Sequence, residues 1–378
     1  MEMQLKKLWP LVGAMCVSLF GSAFADTYQY NGSSQSSGSM QQSGQGTYQR
    51  GSYREITPNA GPRVAHGADV FITADFIWWK AVQEGTEYAF TGVKVGDNLP
   101  AFQSASKGKV KSVGDDWAPG FKVGLGLNLS HDGWDLYSQY TWLRPSNSNS
   151  LSSDNGVIAN TFALGGDGPL VFANSAKANW DLHFNVIDLE LGRNFYVSQF
   201  LTMRPFIGLK GTWQDTDLKA YFTGNSFELE GNPSVPVSGP YVMHQHYDVW
   251  GVGVRGGLNV SWYMSKCWSF YGDFAWTTLW TNYHDLIRHD NLEDTATGIS
   301  TRVVNLDNDN HYTAKYIGEL ELGLRWEIWF YDDNYHFAVQ AGWEQQVWLN
   351  WGRFVELVDE ATQDLSLQGL NLKFRFDF

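Results

Sequence analysis

Three groups of residues in this chain have types and spacings that could do chemistry. Asp181-Leu182-His183 and Asp215-Thr216-Asp217 place an acid beside an imidazole and two acids side by side, because alternate residues of an extended strand share a face. Facing each other across a cleft, such pairs would activate water as general bases. His244-Gln245-His246, with His284 and His289 further on, offers imidazoles of the kind that hold zinc. The third group is dispersed: Asp188, Glu190, Arg204, Lys210, Arg255, Glu319, Glu321, Arg325, Glu327 and Glu344 fall between apolar residues at alternate positions. The chain has no phosphate-binding Gly-rich loop, no paired C-x-x-C and no H-E-x-x-H. What each group can do depends on the elements that hold it.

Those elements read as strands, because segments of about ten residues alternate with period two from Asp69 onwards. Val70, Ile72, Ala74, Phe76 and Trp78 share a face of the first. Phe121, Val123, Leu125, Leu127 and Leu129 share a face of the second, and Trp134, Leu136, Ser138, Tyr140 and Trp142 one of the third. In the fourth, from about Trp180 to Asn194, the apolar phase passes from Leu182, Phe184 and Val186 to Ile187, Leu189 and Leu191. A one-residue change of phase predicts a β-bulge near Val186. The fifth sets Leu201, Met203, Ile207 and Leu209 against Thr202, Arg204, Gly208 and Lys210. The sixth sets Trp250, Val252, Val254, Leu258, Val260 and Trp262 against Arg255, Asn259 and Ser261. Trp268, Phe270, Phe274 and Trp276 mark the seventh, and Leu320, Leu322, Leu324 and Trp326 oppose Glu319, Glu321, Arg325 and Glu327 in the eighth. The ninth carries Phe337, Val339, Ala341 and Trp343, and the last ends in Leu370, Leu372, Phe374, Phe376 and Phe378.

The connections alternate in length. Short turns fall at Ser130–Gly133, Tyr196–Gln199, Met264–Cys267 and Tyr331–Asn334, and long ones at Ala81–Trp117, Pro145–Asn179, Gln214–Gln245, Thr281–Asn310 and Asn350–Ser366. Short periplasmic turns and long outer loops, with both ends of the barrel inside, are the pattern of an outer-membrane β-barrel. We therefore expect an all-β, antiparallel up-and-down transmembrane barrel of 10 strands over residues 69–378. Glu87–Val95 and Lys219–Glu230 could add strands or a hairpin, which sets an upper bound of about 14. Trp134 and Trp142 are eight residues apart, about 27 Å along a strand and roughly 20 Å along the membrane normal after tilting. Trp268 and Trp276 repeat that spacing, and Trp250 and Trp262 bracket the sixth strand. Two aromatic girdles at the edges of an apolar band explain all six. Phe378 closes an alternating aromatic strand in the manner of an assembly signal.

The flanking sequence agrees with export. Lys6 and Lys7 precede an apolar run from Leu8 to Phe20 and an Ala23-Phe24-Ala25 cleavage site, so residues 1–25 read as a signal peptide. Residues 26–68 are rich in Ser, Gln, Gly and Tyr and lack the aliphatic residues of a core, so they read as a disordered extension. Beyond residue 25 only Cys267 remains, which rules out an intramolecular disulfide. The net charge of −14 becomes −15 once the signal, with its one acid and two bases, is removed, which argues against nucleic acid as a partner.

Three stretches carry a family likeness: DVFITADFIWWK at 69–80, NWDLHFNVIDLELGRNFYVSQFLTMRPFIGLKGTW at 179–213 and VWGVGVRGGLNVSWYMSKCWSFYGDFAWTTLW at 249–280. They resemble the Legionella-type pore-forming outer-membrane proteins, called major-outer-membrane-protein-like in environmental chlamydiae. The resemblance implies passive diffusion of small solutes through a porin-like barrel and brings no catalytic or ligand residue with it. It departs from the chlamydial pattern in one respect, since those proteins are rich in cross-linked cysteine and this chain is not.

On the strand reading the dispersed charges point into the lumen, where each must be hydrated or paired. A water-filled pore satisfies that, and so does a closed barrel cross-linked by ion pairs. Ten strands make a narrow barrel, since eight are filled by side chains and 16–18 leave a channel. The first expectation is a porin-like pore for small hydrophilic solutes or ions. In such a pore Glu319, Glu321, Glu327 and Glu344 would form a negative wall favouring cations. The alternative is a structural or surface-contact barrel with a closed lumen, in which those acids pair with Arg204 or Arg255. Enzymatic activity is not expected, because the D-x-H and D-x-D pairs lie on consecutive strands instead of across a cleft. No metal or other cofactor is assigned, because the loops that carry the four histidines need not meet. Outer-membrane lipid, the outer-membrane assembly machinery and small hydrophilic solutes are the expected partners, with oligomerisation left open.

Overall fold

The computed structural model describes residues 68–93, 108–130, 133–153, 157–161, 172–224, 239–294, 298–308, 310–331, 334–354 and 362–378. The signal peptide of residues 1–25 and all but the last residue of the extension lie outside them. Ten long strands form the barrel: β1 Ala68–Gln83, β2 Trp117–Leu129, β3 Trp134–Leu143, β4 Ser175–Arg193 and β5 Leu201–Thr223. They are followed by β6 Tyr241–Tyr263, β7 Trp268–Asp294, β8 His311–Phe330, β9 Tyr335–Arg353 and β10 Thr362–Asp377. Each strand pairs antiparallel with the next, and β10 returns to pair with β1 from Phe71↔Asp377 to Gln83↔Leu365. The sheet is thus a closed ring of ten with no free edge, which is what a membrane demands of a β-structure. Its sealing extends to the last residue, whose backbone N–H donates to Val70 O at 3.0 Å.

The outward faces are those the alternation predicts. Val70, Ile72, Phe76 and Trp78 on β1, Leu320, Leu322 and Leu324 on β8, and Leu370 and Phe374 on β10 are all exposed. In water such surface would be costly. In hydrocarbon it is the favourable face.

Four expectations need correcting. There is no bulge near Val186: β4 pairs with β5 in one unbroken register from Phe206↔Gly192 to Thr223↔Ser175. Leu182, Phe184 and Val186 simply face inward with Asp188 and Glu190, while Ile187, Leu189 and Leu191 face out. The apolar phase changes because the strand passes from a lipid-facing stretch to one whose inner face is apolar.

The second correction concerns Gln214–Gln245 and Thr281–Asn310, whose described residues are largely strand. β5 and β6 pair continuously from Leu201↔Trp262 to Phe222↔Tyr241. A 23-residue strand is roughly 75 Å long, about twice what a tilted crossing needs. Strands β4 to β7 therefore rise beyond the apolar band as a collar, and of the expected extra strand Lys219–Glu230 the part Lys219–Thr223 belongs to β5, while residues 225–230 lie outside the described residues. The third concerns Pro145–Asn179, where β4 begins at Ser175 and Ser146–Ser152 pairs with its start. The fourth concerns Glu87–Val93, which is a strand but not a barrel strand. It joins a separate four-stranded sheet with Val110–Ser112, Val157–Asn160 and Phe172–Ala173. Polar outer faces, such as Asp215, Asp217 and Lys219 on β5, make these extensions look like loops when lipid-facing residues are the signal sought.

Candidate functional site in the lumen

The inward face of the barrel has two layers of opposite chemistry. The first, reaching from mid-barrel to the mouth at the short-turn end, is ionic. Arg204 on β5 contacts Asp135 at 2.5 Å and Glu190 at 2.9 Å, and donates to Asn259 Oδ1 at 2.8 Å. Arg255 on β6 lies between Glu190 on β4 and Glu319 on β8, with the latter at 2.7 Å. Lys210 joins Asp188 and Glu319, each at 2.9 Å, and so spans three places around the ring from β5 to β8. Lys122 on β2 reaches Glu344 on β9 at 2.6 Å. Glu321 accepts from Tyr271 at 2.5 Å and from Asn371 at 3.1 Å. Arg325 donates to Ser261 at 3.1 Å and lies over the Tyr271 ring. Glu327 sits 3.7 Å from His336, which pairs with Asp377 at 2.7 Å.

All ten charges expected inside are therefore on the inner face, but the acids of β8 and β9 do not form an unopposed negative wall. Glu319 is met by Arg255 and Lys210, Glu344 by Lys122, and Glu327 by His336. A register reading of one strand cannot see cations that arrive from strands two or three places away. Arg255 is the partner that the closed-lumen alternative names, whereas Arg204 serves Asp135 and Glu190 instead. The network leaves a cavity of about 330 Å³, bordered by Arg204, Glu190, Asp273, Lys373, Arg375 and Asp377 among others.

The second layer, above the first, is apolar and filled. Ile77 and Trp79 from β1, Phe184 from β4, Leu279 from β7, Ile317 from β8 and Trp348 from β9 all have essentially no exposed surface. β4 and β9 are five places apart in a ring of ten, hence opposed. Phe184 and Trp348 nevertheless meet edge to face, with ring centroids 5.3 Å apart. Gln83 on β1 donates to the Tyr247 hydroxyl on β6, also opposed, at 3.0 Å. Trp351 donates to Gln214 Oε1 at 2.9 Å, and the Tyr283 hydroxyl donates to Trp351 O at 2.5 Å. Side chains from facing walls thus touch, and the layer is packed like a soluble core. At the boundary, Lys122 lies over the Trp79 ring at 4.8 Å and Lys210 near Trp348 at 6.0 Å, so cations with carboxylate partners cap the apolar rings.

Sequence reasoning missed this layer. Its signal was present in the residues taken for a bulge, Trp180, Leu182, Phe184 and Val186, and in the Phe76-Ile77-Trp78-Trp79 run, apolar on both faces.

On the outer wall, Trp250, Trp262, Trp268 and Trp276 are exposed, and Trp134 and Trp142 are half-buried, the latter stacked on Phe121 at 5.3 Å. Trp213, the register partner of Trp250, joins the outer row. Phe378 is exposed and packs on Phe376 at 4.9 Å. His183 and Asp215 stand side by side on adjacent strands, 3.5 Å apart, not across a cleft. The histidine-bearing segments, expected as separate loops, do meet, because they are the paired upper ends of β6 and β7, with His244↔His289 and Asp248↔His284 in register.

Residues 62–378 match a protein family described as Legionella pneumophila major outer membrane protein precursor. The chain belongs to that family. With its closed ring of strands, it is an integral protein of the bacterial outer membrane. No curated protein matches the chain. Solved structures similar to this family member include the outer membrane protease OmpT of Escherichia coli, at 10% identity and a TM-score of 0.31, covering 82% of this chain and 96% of that one. The Pseudomonas putida toluene transporter TodX aligns at 8% identity and a TM-score of 0.26, covering 85% and 90%. A Pseudomonas aeruginosa FadL homologue aligns at 7% and 0.22, covering 86% and 95%.

Proposed function

We propose that this family member is a structural outer-membrane barrel whose lumen is closed and whose working surface is the extracellular collar. The observation that carries this reading is the contact of Phe184 with Trp348 across the full width of the ring. A diffusing hydrophilic solute needs an unbroken wet path, and an apolar layer packed from opposed walls excludes water. The ionic layer below it is paired instead of lining a channel, which suits a cross-linked wall. Outer-membrane lipid covers the outward apolar faces, and the assembly machinery would read the terminal Phe378. No catalytic step and no cofactor enter this reading. The refolded barrel in a planar bilayer should show no unitary conductance, and regular conductance steps would overturn the closed reading.

A second reading, passive diffusion of small hydrophilic solutes or ions, has the charged cavity in its favour. It requires the outer rings to swing aside. Conductance whose cation preference falls or reverses in Glu319→Lys with Glu321→Lys would support it.

A further inference from the structure

Just beyond the outer aromatic row, the lipid-side face of β4 to β7 carries a belt of acids and imidazoles. Trp213 and Trp250 are register partners, and Asp215 and Asp248, two residues further out on the same face, are partners too. Asp217 comes next and lies opposite His246. Asp217 Oδ1 is 2.6 Å from His244 Nε2, and its Oδ2 is 3.2 Å from His246 Nδ1. The same His246 nitrogen is 3.6 Å from Asp215 Oδ1, while its Nε2 is 3.5 Å from Asp248 Oδ1. His284 Nε2 adds a contact of 3.8 Å to Asp248 Oδ2. Asp215, Asp217 and His246 each bring one ligand atom within 4.8 Å of the others, and so do Asp248, His284 and Asp285.

Several of these separations are too long for hydrogen bonds. They suit atoms that share a cation: at zinc–ligand bonds of about 2.0–2.1 Å, tetrahedral ligands stand roughly 3.4 Å from one another. The 3.2 and 3.6 Å from His246 Nδ1 to the two carboxylates bracket that edge length. The charge is also that of a cation site, since Lys219, 3.6 Å from Asp217, offsets only part of the four carboxylates. In the second of these groups, Asp248 Oδ1 and His284 Nδ1 are shielded from solvent and have no hydrogen-bond partner among the described residues. Carboxylates alone would suit calcium or magnesium. An imidazole among them favours a borderline metal.

We propose that Asp215, Asp217 and His246 bind one zinc-class divalent ion on the extracellular outer wall, with a fourth position left to water. His244, hydrogen-bonded to the other oxygen of Asp217, is a positioning residue for that carboxylate. The site faces away from the lumen, so it stands whether or not the barrel conducts. The competing arrangement is a protonated His246 held between carboxylates with no metal.

The test is calorimetric titration of the folded, detergent-solubilised protein with zinc chloride at neutral pH. About one ion per chain should bind. Asp217→Asn with His246→Ala should abolish binding, and His244→Ala should weaken it about 10–100-fold at unchanged stoichiometry. These side chains point away from the core, so each variant should keep the gel mobility of the folded barrel. Cobalt chloride gives a second readout, a visible absorption band present in the wild type and lost in His246→Ala. No zinc binding, undiminished binding in the double variant, or calcium binding as tight as zinc would each overturn the proposal.

Discussion

Burying an ion pair earns stability only when both partners are present, and the Lys122–Glu344 pair shows how this barrel meets the condition. Both side chains are almost wholly buried, and among the described residues the Glu344 carboxylate accepts, besides Lys122, only from neutral donors, Gln346 at 2.8 Å and Asn371 at 3.1 Å. Lys122→Met leaves that anion without a cation and should lower stability by about 3–5 kcal/mol. Adding Glu344→Gln should recover most of the loss, because the pair is then replaced instead of broken. Urea unfolding of the wild type, both single variants and the double variant in lipid vesicles measures the coupling. Recovery of nothing by the second substitution would show that the pair is not a unit. At the collar, the hydrogen bond with Asp217 raises the His246 pKa above 6.5, and the bonds from His244 and His246 lower that of Asp217 below 3.8. A raised histidine contributes stability in full below 6.5 and loses it as pH rises through its folded value. A depressed acid contributes above 3.8 and loses that as pH falls through its own. Without metal, the stability difference between wild type and His246→Ala should therefore be greatest between those values and shrink above neutrality. A difference that grows with pH in a chelator would contradict the assigned pairing.

At the scale of the strand, register decides whether one charge is tolerated and another is not. Leu322 on β8 is exposed to lipid between Gly272 and Trp343, while its neighbour Glu321 faces in towards Tyr271 and Asn371. Leu322→Arg should destabilise the barrel by about 2–4 kcal/mol if it lies near the midplane. Glu321→Gln keeps an acceptor for Tyr271 and should assemble normally. Assembly assays of both variants check the register, and tolerance of the first with failure of the second would invert it. This register was legible because lipid imposes a plain rule, apolar at every second residue, and the lipid-facing stretches of β1, β8 and β10 obey it. Where strands leave the lipid the rule lapses. Asp215, Asp217 and Lys219 face outward on β5 and hid the ten strand residues from Gln214 to Thr223 behind a loop-like composition. On β4 the inward apolar run from Trp180 to Val186 imitated a bulge, because a change of environment and a change of register give the same pattern.

The whole molecule adds what no single strand carries, the identity of the residues that face one another. Which walls are opposed follows from ring order, so Phe184 meets Trp348 only because β4 and β9 are five places apart in a ring of ten. Strand number and closure could be read from the sequence, but the state of the lumen could not. Orientation can be tested first, in a Cys267→Ser background. Cysteines at Ser148 in the outer extension after β3 or at Asn291 near the top of β7 should label on intact cells, and one at Lys266 in the β6–β7 turn should not. The seal itself then yields to subtraction. Phe184, Trp348 and Trp351 supply the rings that bridge the opposed walls, and Trp348 and Trp351 also pack on each other at 4.6 Å. Truncating all three to alanine removes apolar volume that neighbours held in a hydrogen-bonded sheet cannot refill, so part of the outer layer becomes open space. That space would adjoin the charged cavity, and water would enter it because ionic groups lie within reach. The triple variant should conduct in a planar bilayer where the wild type is silent, with conductance falling as the bulk of the mobile ion rises. Heat-modifiable gel migration would show that the barrel itself survives. A folded triple variant as silent as the wild type would mean that these three rings are not what closes the lumen.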